Sequence, residues 1–155
     1  LVHYCGESSR TTHGAPEAIE CCRLLGVLIS RALAGCPKAH LMQVLDLEFL
    51  EPKVHAISRG SFASKARELV VGSGYCVASL EAALWCFHET SDFEGAVLAA
   101  ANLGDDADTT AAICGQLAGA HYGAAAIPSR WLDRLAFKDE IAALAEQIYR
   151  LRPAF

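Results

Sequence analysis

The sequence contains no block of basic residues, no long apolar run and no C-x-x-C pair. Its 13 Lys and Arg residues are outnumbered by 18 acidic residues, which leaves a formal net charge of −5. Proteins that bind nucleic acids usually carry a basic patch, so the sequence does not indicate a nucleic-acid partner. No uninterrupted apolar stretch reaches the length of about 20 residues that crosses a membrane, and no membrane span is predicted.

The seven cysteines also lack the spacing of a disulfide framework or a zinc site. Most of them lie in apolar stretches, where we expect buried free thiols. Such thiols are typical of a reducing compartment, and the beginning of the chain lacks the pattern of a secretory signal. The sequence therefore predicts a soluble, cytoplasmic protein. Because the chain begins at Leu1 without an initiator Met, we also expect upstream sequence to be missing.

Apolar residues recur every three or four positions along most of the chain, which predicts helices. Alternation typical of strands does not extend beyond residues 69–71. A chain of 155 residues suits one domain with a sizeable core, so we predict an all-α fold, a compact multi-helix bundle. Helices are predicted over residues 16–34, 39–50, 62–69, 77–88, 110–122, 129–135 and 138–150, with one more from a capping box at 91–94 to about residue 102.

Several local features refine this prediction. Pro52 is expected to end the helix over 39–50, and residues 51–74 are expected to be loops around the short helix over 62–69. In the capping box, the Ser91 hydroxyl and the Glu94 carboxylate are expected to bind the first free amides. Glycines at steps of four are expected to form a ridge for close packing. Trp131 is expected to point to the core. The last helix is expected to have one apolar face. The glycines are Gly115, Gly119 and Gly123, and the apolar face is Ile141, Leu144, Ala145 and Ile148.

The strongest site signal is the acidic segment 102–110. Asp105, Asp106 and Asp108 fall within four residues, although the segments on both sides are almost wholly apolar. Carboxylates so close repel one another, and a hard cation with oxygen ligands would offset that repulsion. Asp106, Asp108 and Thr109 are therefore candidate metal ligands. The alternative is a simple helix N-cap, in which Asp and Thr satisfy free backbone amides without a metal.

Two known acidic motifs share features with this segment. An EF-hand loop would continue with Gly and end in Glu, whereas Thr109, Thr110 and Ala111 follow Asp108 here, so that motif fails. The residues 106–110 do match the D-x-D-x-T pattern of haloacid-dehalogenase-like phosphatases. In those enzymes the first Asp is a nucleophile at the end of a buried strand. Residues 99–103 make a poor strand, so this hypothesis ranks second.

The wider sequence resembles the C-terminal portion of the ADP-ribosylglycohydrolase family domain. Five segments match the family in the same order and span essentially the whole chain. They are Ser9-Arg10-Thr11-Thr12-His13, Gly74-Tyr75-Cys76-Val77 with Leu80-Glu81-Ala82-Ala83-Leu84-Trp85, Asn102-Leu103-Gly104-Asp105-Asp106-Ala107-Asp108-Thr109, Gly115-Gln116-Leu117-Ala118-Gly119-Ala120-His121-Tyr122-Gly123, and Ile127-Pro128-Ser129-Arg130-Trp131.

This resemblance implies an all-α hydrolase with two bound Mg²⁺ or Mn²⁺ ions. It would cleave the glycosidic bond between ADP-ribose and a modified protein side chain or small molecule. By position, Asp106, Asp108 and Thr109 would bind metal, and His13 and Tyr75 would contact ADP-ribose. One departure is Asp105, which stands where many members have a second Gly.

Other parts of the family pattern are missing from this sequence. Members are longer, and their N-terminal portion carries G-D-x-x-G-x-x-x-E and T-D-D-like segments that complete the metal centre and supply catalytic acids. Neither segment occurs here, so the catalytic residues are unknown and the chain alone is expected to be nearly inactive. A non-catalytic, crystallin-like or ADP-ribose-binding relative is the alternative function.

For individual residues, plainer roles were also considered. His13 could be a helix cap beside Pro16, and Tyr75 could simply pack. The helical carboxylates have ordinary surface roles as their alternative to catalysis. Two cysteines without a basic neighbour in sequence are not expected to be catalytic thiols. The carboxylates are Glu81, Glu89 and Glu94, and the cysteines are Cys76 and Cys114.

Overall fold

The computed structural model describes residues 1–41 and 49–151, and all regular structure in these two ranges is helical. The predicted all-α fold is confirmed. Within the described ranges, no helix is both long and apolar enough to cross a bilayer. Short 3-10 turns lie at Ser61–Ser64, Arg67–Leu69 and Ala124–Ala126. The α-helices are α1 (Val2–Arg10), α2 (Pro16–Leu33), α3 (Lys38–Leu41), α4 (Pro52–Ser58), α5 (Cys76–Glu89), α6 (Phe93–Ala101), α7 (Ala107–Tyr122), α8 (Ser129–Leu132) and α9 (Lys138–Arg150).

The core lies between α2, α5, α6 and α7, which pack against one another. Helices α2 and α5 bury several leucines at helical spacing, whereas α6 and α7 bury mainly small residues. Helix α5 contributes the most, and its Phe87 is fully buried. The fully or nearly fully buried residues of this core include Leu24, Leu28, Leu80, Leu84, Phe87, Ala96, Ala100, Cys114, Leu117 and Ala118.

Small residues let α6 and α7 approach closely. A β-carbon at Gly115 would lie 3.7 Å from Val97 Cγ2, and one at Gly119 would lie 3.8 Å from Phe93 Cε2. The glycine ridge predicted from the sequence therefore faces α6. Gly123 ends α7 in a different way, because its φ of 82° is a conformation that glycine adopts without strain.

The segment around Pro52 differs from the prediction. Pro52 does not end a helix but begins α4, where its missing N–H costs nothing in the first turn. Phe49 and Leu50 are not helical, and most of the helix predicted over 39–50 lies outside the described residues. The chain is held here by the buried Glu20, whose two carboxylate oxygens accept the backbone N–H groups of Leu50 and Glu51 at 2.9 Å each.

Other helix boundaries also differ from the sequence patterns. The N-cap of α6 is Asp92 rather than Ser91, and its carboxylate accepts the Gly95 N–H at 2.7 Å. The predicted helix over 62–69 is two 3-10 turns, and α8 ends at Leu132 instead of residue 135. Helix α1 was not predicted at all. Side chains compete for backbone amides at helix ends, so periodicity alone does not locate these boundaries.

The C-terminal helix follows its predicted range, but its apolar face is exposed to solvent. Ile141, Leu144 and Ile148 are 50%, 58% and 71% exposed, so amphipathic spacing here predicted the helix and not its burial. Trp131 of α8, by contrast, is partly buried against the core and packs near Phe93, with ring centroids 6.1 Å apart.

Candidate active site

The acidic segment forms a tight turn between α6 and α7. Gly104 and Asp105 both have positive φ angles, 82° and 54°, which reverse the chain. Asp tolerates this left-handed conformation better than most residues, although glycine adopts it more easily. The structure thus explains how Asp105 can stand where a second Gly is common: it keeps the turn geometry and leaves its own side chain exposed.

Helix α7 begins at Ala107, three residues earlier than predicted, so Asp108 and Thr109 lie in its first turn. Asp106 occupies the N-cap position, but its carboxylate accepts no backbone N–H. Instead, Asp106 Oδ1 accepts the Thr109 hydroxyl at 2.8 Å. The simple capping role considered for this residue is therefore not the role that its carboxylate plays.

The turn is fixed to its surroundings through the backbone of Asp106. Its N–H donates to the Gly72 carbonyl at 2.8 Å, and its carbonyl accepts the buried Thr110 hydroxyl at 3.0 Å. A β-carbon at Gly72 would lie only 2.9 Å from Thr110 Oγ1, so glycine is needed for this close approach. A β-carbon at Gly74 would lie 3.5 Å from Asp106 Oδ2. The glycine-rich segment 72–74 thus lies directly against the acidic turn.

The charge of this turn is not balanced by nearby cations. Among residues 1–41 and 49–151, no Lys, Arg or His forms an ion pair with Asp105, Asp106 or Asp108. The same ranges contain no group of three or more His, Cys, Asp or Glu residues close enough to enclose a metal. Two carboxylates and a hydroxyl are oxygen donors that suit Mg²⁺ or Mn²⁺, but they are only part of a full ligand set.

Tyr75 lies at the N-cap of α5, directly after the glycine-rich segment, and is 40% exposed. Its hydroxyl donates to Glu17 Oε2 at 2.5 Å and accepts from Lys53 Nζ at 2.8 Å. The Lys53 ammonium also lies 4.8 Å from the ring centroid. The hydrogen bond to Glu17 is the main reason that the pKa of Tyr75 is raised above its ordinary value. Sequence reasoning found Tyr75 but missed both of its partners.

His13 lies exposed in the link between α1 and α2. Its Nδ1 is 3.0 Å from the Thr12 hydroxyl, and its backbone N–H donates to the Ser9 carbonyl at 2.7 Å. The N-cap of α2 is Ala15, so His13 is not the helix cap that was considered. Four residues later comes Glu17, which binds Tyr75. The segment before Tyr75 contacts the acidic turn, whereas among the described residues no hydrogen bond or ion pair joins the His13 side chain to Tyr75 or to Asp106.

The carboxylates weighed as catalytic alternatives are engaged in ordinary ion pairs. Glu81 pairs with Lys65, Glu94 pairs with Arg130, and the Glu89 carboxylate lies 2.9 Å from His88 Nδ1. None of these contacts involves the acidic turn. Glu89 and Glu94 thus have the surface contacts expected of helical carboxylates, whereas Glu81 is largely buried in its pair with Lys65.

All seven cysteines are free, as predicted, but the expected burial holds only for Cys21, Cys86 and Cys114, and Cys22 is exposed. Burial raises the pKa of Cys86 to about 11 and that of Cys114 to about 12, which keeps both thiols protonated. The phosphatase hypothesis also fails, because the chain before Asp106 is the end of helix α6 followed by a turn over residues 102–105, and not a strand.

Comparison with known proteins identifies the family of this chain. The family model described as ADP-ribosylglycohydrolase matches residues 1–154. An "ADP-ribosylarginine hydrolase Tri1" of Pseudomonas putida (strain GB-1) is 40% identical over 145 residues, which are 94% of this chain and 39% of that protein. A protein of the same name from Serratia proteamaculans (strain 568) is 42% identical over 147 residues, again 94% of this chain and 39% of the relative.

A third relative and a solved structure extend the comparison. The "ADP-ribosyl-[dinitrogen reductase] glycohydrolase" of Rhodospirillum rubrum is 43% identical over 68 residues, 44% of this chain and 23% of the relative. A solved "ADP-ribosylglycohydrolase-related protein complex" superimposes with a TM-score of 0.87 at 42% identity, covering 97% of this chain and 53% of the other. The chain thus spans about two fifths of the Tri1 relatives, 39% of each. On the family match and the superposition together, the chain belongs to the ADP-ribosylglycohydrolase family.

Proposed function

We propose that this chain carries one side of the active site of a metal-dependent hydrolase that releases ADP-ribose from a modified protein side chain. The proposal rests on the contacts of Asp106. Its carboxylate caps no helix amide and pairs with no described cation, yet its backbone is held rigidly at both ends. A carboxylate so placed is available to a cation that the family's other segments help to bind.

In this proposal, Asp106, Asp108 and Thr109 hold one or both of two Mg²⁺ or Mn²⁺ ions. Because the Thr109 hydroxyl donates its proton to Asp106 Oδ1, its lone pairs are free to face a cation. When bound, such ions would supply Lewis acidity and would lower the pKa of a water molecule, which is the chemistry that hydrolysis at the anomeric carbon needs. His13 and Tyr75 contact the ADP-ribose, and Tyr75 offers an exposed ring to it. No carboxylate of this chain is assigned as the general acid or base.

The modified residue is proposed to be arginine, because two of the relatives are named ADP-ribosylarginine hydrolases. The free thiols of the chain suit a reducing, cytoplasmic compartment, where such a protein substrate would be found.

The test is a double substitution, Asp106→Ala with Asp108→Ala, in the full-length native polypeptide. Release of ADP-ribose from an ADP-ribosylated arginine protein, measured with Mg²⁺ or Mn²⁺ present, should fall at least about 100-fold, since even residues that only support metal ligands cost up to about that much. The matched control is Asp133→Ala with Asp139→Ala, two exposed aspartates outside the turn. Retained turnover in the Asp106/Asp108 variant would contradict the metal assignment. A wild-type protein that binds the ions without any turnover would instead match the non-catalytic alternative.

A further inference from the structure

Three side chains from distant parts of the sequence meet at Tyr75. Glu17 comes from the first turn of α2 and Lys53 from the first turn of α4, while Tyr75 stands just before α5. The Tyr75 hydroxyl is bound by both, and the two charged groups lie 3.5 Å apart. The Lys53 ammonium in addition covers part of the ring. This cluster of Glu17, Lys53 and Tyr75 has no net charge, because the Glu17 carboxylate balances the Lys53 ammonium.

The cluster contributes little to folding stability. The Lys53 side chain is 63% exposed and that of Glu17 is 29% exposed, and ion pairs in such positions are screened by water. Instead, the contacts restrict the orientation of the Tyr75 side chain, which the local backbone does not restrict. Tyr75 follows the segment 72–74, whose two glycines offer no side chains to pack against its ring. Fixing its hydroxyl at two points and contacting its ring selects one orientation.

We propose that Glu17 and Lys53 are positioning residues that hold the Tyr75 ring in the orientation in which it packs against the nucleotide part of ADP-ribose. The proposal rests on the proposed function, because it takes Tyr75 as a substrate contact. A ring already held in its binding orientation loses less conformational freedom when the ligand arrives, and this raises affinity without a new contact. Tyr75 keeps 40% of its surface exposed despite the contact with Lys53, so area is left for the ligand.

The experiment labels the full-length native polypeptide with 3-fluorotyrosine and assigns the Tyr75 signal with Tyr75→Phe. The pH titration of that ¹⁹F signal is followed in wild type, Glu17→Gln and Lys53→Met. Because the Glu17 hydrogen bond raises the pKa of Tyr75 and the Lys53 bond lowers it, Glu17→Gln should shift the titration to lower pH and Lys53→Met to higher pH. Glu140→Gln and Lys138→Met, exposed residues of α9, are the matched controls and should leave the signal unchanged.

Affinity for free ADP-ribose is measured on the same samples by calorimetry. The dissociation constant should rise about threefold to tenfold in Glu17→Gln and Lys53→Met, which corresponds to the cost of ordering one side chain. Lys53→Arg, which restores the donor and the charge, should recover most of the affinity. Circular dichroism checks that each variant is folded.

An unchanged Tyr75 titration together with wild-type affinity in both variants would overturn the positioning role. So would a loss of affinity that Lys53→Arg does not recover while Tyr75 titrates as in wild type. If the wild-type protein itself fails to bind ADP-ribose, the proposed function is wrong. The titration then still decides by itself whether Glu17 and Lys53 hold the ring.

Discussion

Two polar clusters lie side by side in this protein and differ in how their charge is balanced. In the acidic turn, Asp106 and Asp108 carry charge that no described cation offsets, and the turn is held by backbone hydrogen bonds. In the other cluster, Glu17 is balanced by Lys53, and the bonds run between side chains. The unbalanced charge is the basis of the proposed cation site. The balanced charges of Glu17 and Lys53 are the basis of their proposed role in orienting the Tyr75 ring.

The largest expected effect comes from removing charge without changing shape. Asp106→Asn should weaken Mn²⁺ binding at least about tenfold, because the amide keeps a neutral acceptor but loses the carboxylate. The matched change Glu17→Gln should leave Mn²⁺ binding unchanged, since Lys53 already balances Glu17. Water-proton relaxation measures the dissociation constant for Mn²⁺ in each of the two variants. The 155 residues alone should bind Mn²⁺ weakly, and equal losses in the two variants would remove the distinction between the clusters.

The next effect tests the rigid backbone of the acidic turn. Gly72→Ala would place a β-carbon 2.9 Å from Thr110 Oγ1, so the close approach of segment 72–74 must open. The free energy of unfolding should fall by about 1–3 kcal/mol, as overpacking typically costs, and metal binding should weaken with it. Chemical denaturation measures the first quantity.

The control for this prediction is another glycine-to-alanine change in the adjoining helix. At Gly115 a β-carbon would lie 3.7 Å from Val97 Cγ2, which is ordinary contact. Because alanine favours a helix over glycine, Gly115→Ala should raise stability by up to about 1 kcal/mol. A Gly72→Ala protein as stable as the wild type would mean that the acidic turn is not held as the structure indicates.

The smallest effect concerns the stability of the second cluster. Lys53→Met removes an ion pair that water screens, so the free energy of unfolding should change very little. A clear loss of unfolding free energy would show that the Tyr75 cluster stabilises the fold, as the backbone hydrogen bonds do in the acidic turn. Denaturation curves at low and high salt measure this change. The small difference in unfolding free energy between the wild type and Lys53→Met should shrink as salt increases.

The exposed Tyr75 cluster also shows how far sequence reasoning could reach. The acidic turn was found in the sequence because its oxygen-bearing residues are neighbours in the chain. Glu17 and Lys53 could not be found in this way, because they lie 58 and 22 residues from Tyr75 and are ordinary charged residues of helix surfaces. The buried Glu20 was missed for the same reason: its partners are backbone amides 30 and 31 residues away.

The sequence by itself determined the all-α fold, most helices and the position of the acidic turn, because helical periodicity and local charge are properties of neighbouring residues. It did not determine the helix ends. Pro52 begins a helix and Asp92 replaces Ser91 as a cap, since these choices depend on which amides find partners in three dimensions. Only the tertiary structure decided that no described cation pairs with the Asp106 carboxylate and that Tyr75 is held by Glu17 and Lys53. Both outcomes depend on which residues distant in the chain come together, and periodicity along the chain does not contain that information.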